Sequence, residues 1–343
     1  MAVIRSRAPL RLGLAGGGSD VSPFCDQYGG FVLNASIDRY AYATLELNTS
    51  SKVVFNSADK DIIEEFDSIS KIPEGDKELL LHHAVYSRFV QTYNDGKPIP
   101  MTLTTFCDAP PGSGLGSSST LVVAMVKAFV HLLNLPLDDY EISDLAYTIE
   151  RCDCNLSGGK QDQYSAVFGG FNFMEFNKDS SVVVNTLRLT RTVISELEAS
   201  LILYSTGISR RSAKVIDDQM RSVENGREQS MQALFSIRDS AFKMKEAVLK
   251  ADYDSFVDLL NQGWISKKKS SSSVSSKYID AVYDTAIEAG ALAGKISGAG
   301  GGGFMLFYSK PSNRMNVIRS LSQFSGIVSN CHFTKRGAES WQI

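Results

Sequence analysis

The chain has little of what marks a metal protein, a secreted protein or a membrane protein. Its 343 residues include only five cysteines and four histidines, and these do not cluster. Cys152 and Cys154 form C-x-C rather than C-x-x-C, and Cys25, Cys107 and Cys331 stand far from them. An odd count without metal spacing argues against a zinc framework or a disulfide set. It reads as reduced thiols in a cytoplasmic protein, where the Asn-x-Ser/Thr triplets at Asn34, Asn48 and Asn155 carry no meaning. No apolar run reaches the length of a membrane span, and MAVIRSRAPLRLGLAGG lacks the uninterrupted apolar region of a signal peptide. An excess of one charge is missing too. The net value of −3 gives no reason to expect nucleic acid or a membrane as partner. What remains is 43% hydrophobic residues, enough for a sizeable core. The length is generous for one domain and comfortable for two.

Glycine is plentiful, and it gathers in a few places. Pro110 to Leu121 reads PPGSGLGSSSTL, with Gly112, Gly114 and Gly116 at alternate positions and Ser117, Ser118 and Ser119 behind them. An apolar helical run, TLVVAMVKAFVHLL, follows, and a strand (Met101 to Cys107) precedes. Alternate glycines let backbone approach a ligand and turn N–H groups inward. The serines stand at the helix start, where unpaired amides and the positive end of the dipole favour a phosphate chain. No Gly-Lys-Ser/Thr follows, so this is not a Walker A loop. The spacing is also wrong for a dinucleotide fingerprint.

Three more stretches carry unusual chemistry. AGGGSD (Ala15 to Asp20) ends a strand in a glycine turn, and Asp20 could simply cap the segment after it. GGKQDQ (Gly158 to Gln163) presents an acid beside a lysine, twelve residues after Glu150. KISGAGGGGFMLF (Lys295 to Phe307) puts five glycines between two apolar strands. That is more than a flexible turn needs, and it suggests backbone lying close to a ligand or to another loop.

Periodicity supplies the rest. Strands are expected over Ala2–Arg5 and Leu10–Leu14, interrupted at Ala8-Pro9, and over Phe31–Leu47, Lys52–Phe55, Gly169–Phe176, Ser181–Leu189, Ala199–Tyr204 and Gly326–Thr334. Ser57–Lys77 reads as a surface segment. Helices are expected over Glu78–Tyr93, Leu137–Arg151, Ser230–Gln262, Tyr278–Ala289 and Ser312–Phe324, with Lys267–Ser276 a biased linker. His82 and His83 diverge by ~100° on a helix and read as surface and packing residues rather than ligands. The composition shift near Asn177–Ser181 suggests two domains, 1–178 and 179–343.

PPGSGLGSSS resembles the central signature of the GHMP kinases, the family of galactokinase, homoserine, mevalonate and phosphomevalonate kinases. APLRLGLAGGGSDV is similar to the family's first motif and KISGAGGGGFMLF to its third, all in family order. The Gly-Gly-Gly turn looks like the heptose- and fucose-kinase branch. The resemblance implies an α+β, two-layer fold with an N-terminal half like ribosomal protein S5 domain 2 and a C-terminal ferredoxin-like half. It also implies a cytoplasmic monomer or homodimer using ATP and Mg²⁺ on a sugar phosphate acceptor.

By the same resemblance, Pro111, Gly112, Ser113, Gly114, Leu115, Gly116, Ser117, Ser118 and Ser119 hold the ATP phosphates. Ser118 and Glu150 hold the metal, Asp162 faces the acceptor hydroxyl, and Arg11 pairs with Asp162 near the transferred group. Asp20, with Gly17, Gly18, Ser19, Gly159 and Lys160, takes the sugar. Arg210, Arg211 and Lys214 are candidates for an acceptor phosphate, and a solvated basic face explains them equally. Two departures from the family stand out: Ser119-Thr120 where the loop usually continues with alanines, and Arg11 where lysine is common. A hexose kinase and a non-catalytic sugar-binding regulator stay open as alternatives. A dinucleotide oxidoreductase is the poorest option.

Overall fold

The computed structural model describes residues 3–67, 78–208, 215–218, 220–221 and 228–343. The chain begins with β1 (Val3–Ala15), one strand where two were expected. Its pairing with β2 (Gly30–Leu47) shifts register between Pro9 and Arg11. That irregularity is where a proline lacking an N–H is tolerated within a sheet. The other edge of β1 carries β12 (Glu339–Gln342), a C-terminal strand too short and polar to announce itself.

The larger sheet runs β12-β1-β2-β5-β3-β4. Here β3 is Val53–Ser57, β4 is Ile62–Phe66 and β5 is Met101–Cys107. The strand β6 (Phe171–Phe176) pairs with the first part of β2, and β7 (Val182–Thr186) pairs with β6. The edge strand β4 lies inside the segment expected as irregular surface, and residues 68–77 of that segment lie outside the described residues.

One face of this sheet is packed by α2 (Leu80–Tyr93), α3 (Ser117–Leu132), α4 (Asp139–Thr148) and α5 (Gln161–Phe168). Leu45, Phe55, Leu103, Met125 and Phe129 lie in that core. His82 and His83 are both buried against it. His82 Nε2 lies 2.8 Å from Thr105 Oγ1, and His83 Nε2 lies 2.9 Å from Glu64 Oε2. A capping box at Asp138 and Glu141 starts α4, and its last turn passes into a π-helical turn, Ile149–Asp153. Such turns cluster at functional sites, and this one carries Glu150.

The second sheet runs β11-β8-β10-β9, with β8 Leu201–Ser205, β9 Ala291–Ile296, β10 Phe304–Ser309 and β11 Ile327–Asn330. Taken in chain order, its strands stand fourth, first, third, second, all antiparallel, as in a ferredoxin-like unit. Further helices include α1 (Phe24–Tyr28), α6 (Arg191–Ser200), α7 (Glu228–Leu249), α8 (Tyr253–Ser270), α9 (Lys277–Glu288) and α10 (Pro311–Leu321). A shared core joins the halves: Leu10, Leu12 and Leu33 of the first sheet meet Leu203, Met244, Leu260 and Leu306. The turn near 177–181, where the composition shift lies, connects β6 to β7 in the larger sheet. The smaller sheet begins at Leu201.

The biased segment starting at Lys267 is only partly a linker, because Lys267 to Ser270 complete α8. Leu260, Trp264, Lys267 and Ser270 are all buried at helical spacing, so the inward face continues to the helix end.

The β9–β10 hairpin packs on the Pro110–Ser117 loop, as its glycines suggested. Phe304 N donates to Ser113 O at 2.8 Å, and Ser297 Oγ to Gly114 O at 2.9 Å. Gly298 has φ +72°, and a Cβ there would stand 2.7 Å from Gly114 Cα. Gly298→Ala therefore combines left-handed strain with a backbone clash. It should lower stability by about 2 kcal/mol or more in urea denaturation. A loss below about 0.5 kcal/mol would mean that the two loops are not in firm contact.

Candidate active site

A cavity of about 480 Å³ opens between the two halves where the glycine stretches converge. Gly112, Gly114 and Gly116 line it, with the start of α3 beyond them. Gly116, at φ +79°, is the residue before α3, so the first amides of that helix stand next to the loop. The loop's carbonyls are occupied on the protein side. Ser113 O takes Phe304 N, Gly114 O takes Arg11 Nη1 at 2.7 Å, and Leu115 O takes Arg11 N at 3.0 Å. Ser113 N and Leu115 N donate within the loop, to Pro110 O and Ser113 Oγ, while the glycine amides and the first amides of α3 line the cavity wall, where an anion suits them.

Arg11 and Asp162 meet at the inner end. Both Nε and Nη2 of Arg11 reach Asp162 Oδ1, at 2.7 and 2.6 Å. Arg11 is buried at 4% exposure, while Asp162 stays open to the cavity at the first turn of α5. Its other oxygen, Oδ2, lies 3.3 Å from where a Cβ on Gly116 would be. The missing side chain of Gly116 thus makes room for the acid beside the loop.

A second polar cluster faces the helix start. Ser118 Oγ donates to Glu150 Oε1 at 2.9 Å, and Gln163 Nε2 donates to Glu150 Oε2 at 2.6 Å. Arg151 Nη1 lies 3.3 Å from Glu150 Oε1, and Arg151 Nη2 donates to Ser119 Oγ at 3.3 Å. A hydroxyl and a carboxylate at a phosphate loop are hard oxygen donors of the kind Mg²⁺ takes. Among the described residues no group of three or more His, Cys, Asp or Glu could form a cage. One carboxylate with phosphate oxygens and water is the coordination Mg²⁺ commonly adopts, so Ser118 and Glu150 fit the ion.

Asp20 forms the third corner. Its Oδ1 accepts from Gly18 N and Gln161 Nε2, both at 3.0 Å, and its Oδ2 accepts from Gln161 N at 3.1 Å. Burial pushes its carboxyl above the ordinary range, with the charge of Asp162 acting in the same direction. A Cβ on Gly159 would lie 1.9 Å from Asp20 Oδ2, which is why glycine stands there.

Gly17, Gly18, Asp20, Pro111, Ser117, Ser118, Ser119, Glu150, Gly159 and Asp162 all line the cavity. Other expected residues face the protein. Leu115 is in the core, Ser113 Oγ accepts from Leu115 N at 3.3 Å, and Ser19 Oγ bridges Gly16 O and Phe31 O. Lys160 Nζ donates to Ser180 O at 3.2 Å and lies 5.3 Å from the Tyr147 ring, away from the lining. Arg210, Arg211 and Lys214 lie outside the described residues.

Sequence reasoning missed Arg151, Gln161, Lys267 and Lys295. Lys267 Nζ donates to Gly298 O, and Lys295 Nζ donates to Leu14 O at 3.0 Å. Burial pushes Lys267 down to about 8, helped by Arg11 and opposed by Asp20 and Asp162. Burial with the charges of Lys267 and Arg11 pushes Lys295 down to about 7.

Comparison with known proteins places these residues in a family context. Residues 81–170 match the GHMP kinases N terminal domain, and residues 244–325 match the GHMP kinases C terminal domain. Over the full length of both chains, the sequence is 46% identical to D-glycero-alpha-D-manno-heptose 7-phosphate kinase from Campylobacter jejuni. A crystal structure of a D-glycero-D-manno-heptose 1-phosphate kinase from Bacteroides thetaiotaomicron superposes with a TM-score of 0.83 at 43% identity, covering 99% of each chain. A putative sugar kinase from Campylobacter jejuni superposes with a TM-score of 0.82 at 44% identity, covering 99% of this chain and 98% of its own.

The depression of the two lysines gives the protein a pH dependence. Lysine in an unfolded chain titrates near 10.4. Between about 7 and about 10 the unfolded chain therefore holds more protons than the ligand-free fold, and stability contributed by these groups rises with pH. A bound triphosphate would favour the charged form of Lys295 and reverse its depression. Calorimetry of ATP binding in buffers of different ionisation enthalpy should show uptake of up to about one proton near pH 8, fading towards about pH 6. Lys295→Met should remove most of the uptake, and an unchanged value would show that the amine does not sense the phosphates.

Proposed function

The chain belongs to the GHMP kinase family and is an ATP-dependent sugar kinase, and from that premise we propose that it phosphorylates the anomeric C1 hydroxyl of D-glycero-D-manno-heptose 7-phosphate. The full-length similarity to heptose phosphate kinases supports this acceptor over a free hexose or fucose. The observation that carries the chemistry is the Arg11–Asp162 pair beside Gly116. It sets an acid and a buried cation where the end of a triphosphate on the loop would meet an acceptor.

Phosphoryl transfer asks little covalent work of a protein, so positioning and charge carry the rate. In this reading the amides of Gly112 to Ser119 take the ATP phosphates, and the dipole of α3 adds to them. Ser118 and Glu150 would hold Mg²⁺, which when bound neutralises charge across the phosphate oxygens. Gln163 and Arg151 keep the Glu150 carboxylate aimed at the loop.

Asp162 orients the sugar hydroxyl and accepts its proton as the bond to phosphorus forms. Arg11 fixes Asp162 through two nitrogens and the loop through a third. Asp20 has its oxygens engaged by Gln161 and Gly18 but retains lone-pair capacity for a sugar hydroxyl. Glu150, Asp162 and Arg11 together favour an enzyme over a sugar-binding regulator.

Two measurements test this. ATP consumption with Mg²⁺ over heptose 7-phosphate, fucose, galactose and homoserine should be confined to the heptose phosphate. Faster turnover of a free sugar would move the acceptor. Asp162→Asn should lower kcat by about 10²-fold or more while ATP affinity stays within about threefold. A fully active variant would remove Asp162 from the reaction.

A further inference from the structure

Lys267 is not needed by any of the three glycine motifs, yet it is buried at 7% exposure in the wall of the active-site cavity. It arrives from the end of α8, in the smaller half of the molecule. Its ammonium donates to Gly298 O, on the loop whose backbone touches Gly114. The charged groups that line the same cavity are Arg11 on β1, Asp20 after β1, Asp162 on α5 and Lys295 on β9, with Glu150 and Arg151 on the π-helical turn. Among the described residues no carboxylate forms an ion pair with it, and its acceptor is a neutral carbonyl. A buried ammonium held that way is costly, and an anion placed beside it would offset that cost.

The available anion is the group in flight. Charge in phosphoryl transfer spreads over three equatorial oxygens. Arg11 has three of its five N–H donors committed, two to Asp162 and one to Gly114. Lys267 keeps two of its three protons free of the Gly298 bond, and it lines one cavity with the two acids that the proposed mechanism assigns to the acceptor. A cation so placed is poorly suited to a phosphate at the far end of a seven-carbon sugar and well suited to the centre.

We propose that Lys267 is a second catalytic cation, which binds the equatorial oxygens of the transferred phosphoryl group, and that Lys295, bonded to Leu14 O, is a positioning residue that holds the first glycine turn against it. The proposal rests on the reading of Asp162 as the acceptor-side group, but not on which sugar is the acceptor.

The test uses the full chain and compares ATP with ADP plus aluminium fluoride, a mimic of the phosphoryl group in flight, each with Mg²⁺. Lys267→Met should weaken binding of the mimic by about 10²-fold, as removal of one transition-state donor does, with ATP affinity changed less than about threefold. It should lower kcat by a similar factor with little change in sugar KM. Lys267→Arg should recover part of both, and equal melting temperatures would show that the fold is intact. Equal loss of ATP and mimic affinity, or a Met variant within about threefold of normal kcat, would overturn the proposal. The mimic contains no sugar. An unreactive heptose phosphate would therefore overturn the acceptor reading while leaving this result interpretable.

Discussion

The ion pair between Arg11 and Asp162 is the interaction on which the site depends. It joins the first strand, the phosphate loop and the start of α5, because the same guanidinium also holds Gly114 O. Arg11 is buried, so removing its partner would leave an uncompensated charge, a loss of about 3–5 kcal/mol. The π-helical turn that carries Glu150 and the glycine hairpin from the smaller sheet then close around this centre. The two sheets need a shared core for that closure. Leu10 and Leu12, which neighbour Arg11 in β1, lie in it.

Electrostatics gives the cavity its direction. Arg11, Arg151, Lys267 and Lys295 line it together with Asp20, Glu150 and Asp162. The acids are engaged by protein donors, and among the described residues the two lysines reach backbone carbonyls. Burial shifts both lysines towards the uncharged form, and an anion in the cavity shifts them back towards the ammonium. Burial of cations against neutral partners thus tunes an otherwise ordinary acidic chain for an anionic substrate. The apolar framework around the lysines maintains the low dielectric that makes each charge matter.

Much of the site was legible in the sequence because close backbone approach leaves a mark. A side chain would clash where Gly114 meets Gly298 and where Gly159 clears Asp20, Gly116 beside Asp162 has the left-handed φ that favours glycine, and such positions stand out in a sequence as glycine clusters. The long β2, the strand Met101–Cys107 and the helix after the loop followed from periodicity. Lys267 did not, because KKKSSSS has the composition of a solvated linker. Only packing of Trp264 and Ser270 on the same helical face turns that lysine inward. Arg151 and Gln163 act through their aim at Glu150, which depends on a π-helical turn that no spacing rule announces. The short edge strands β4 and β12 draw their order from neighbours. Pro9 does not break β1, because a register shift against β2 absorbs it.

The most direct measurement is a crystal structure of the protein with a non-hydrolysable ATP analogue, Mg²⁺ and D-glycero-D-manno-heptose 7-phosphate. The account predicts the γ-phosphate at the start of α3 and the C1 hydroxyl within about 3 Å of Asp162. It also predicts Lys267 beside the gap between the γ-phosphate and the C1 hydroxyl. A sugar bound with its hydroxyls turned away from Asp162, or a triphosphate that does not follow the Gly112–Ser119 amides, would contradict it.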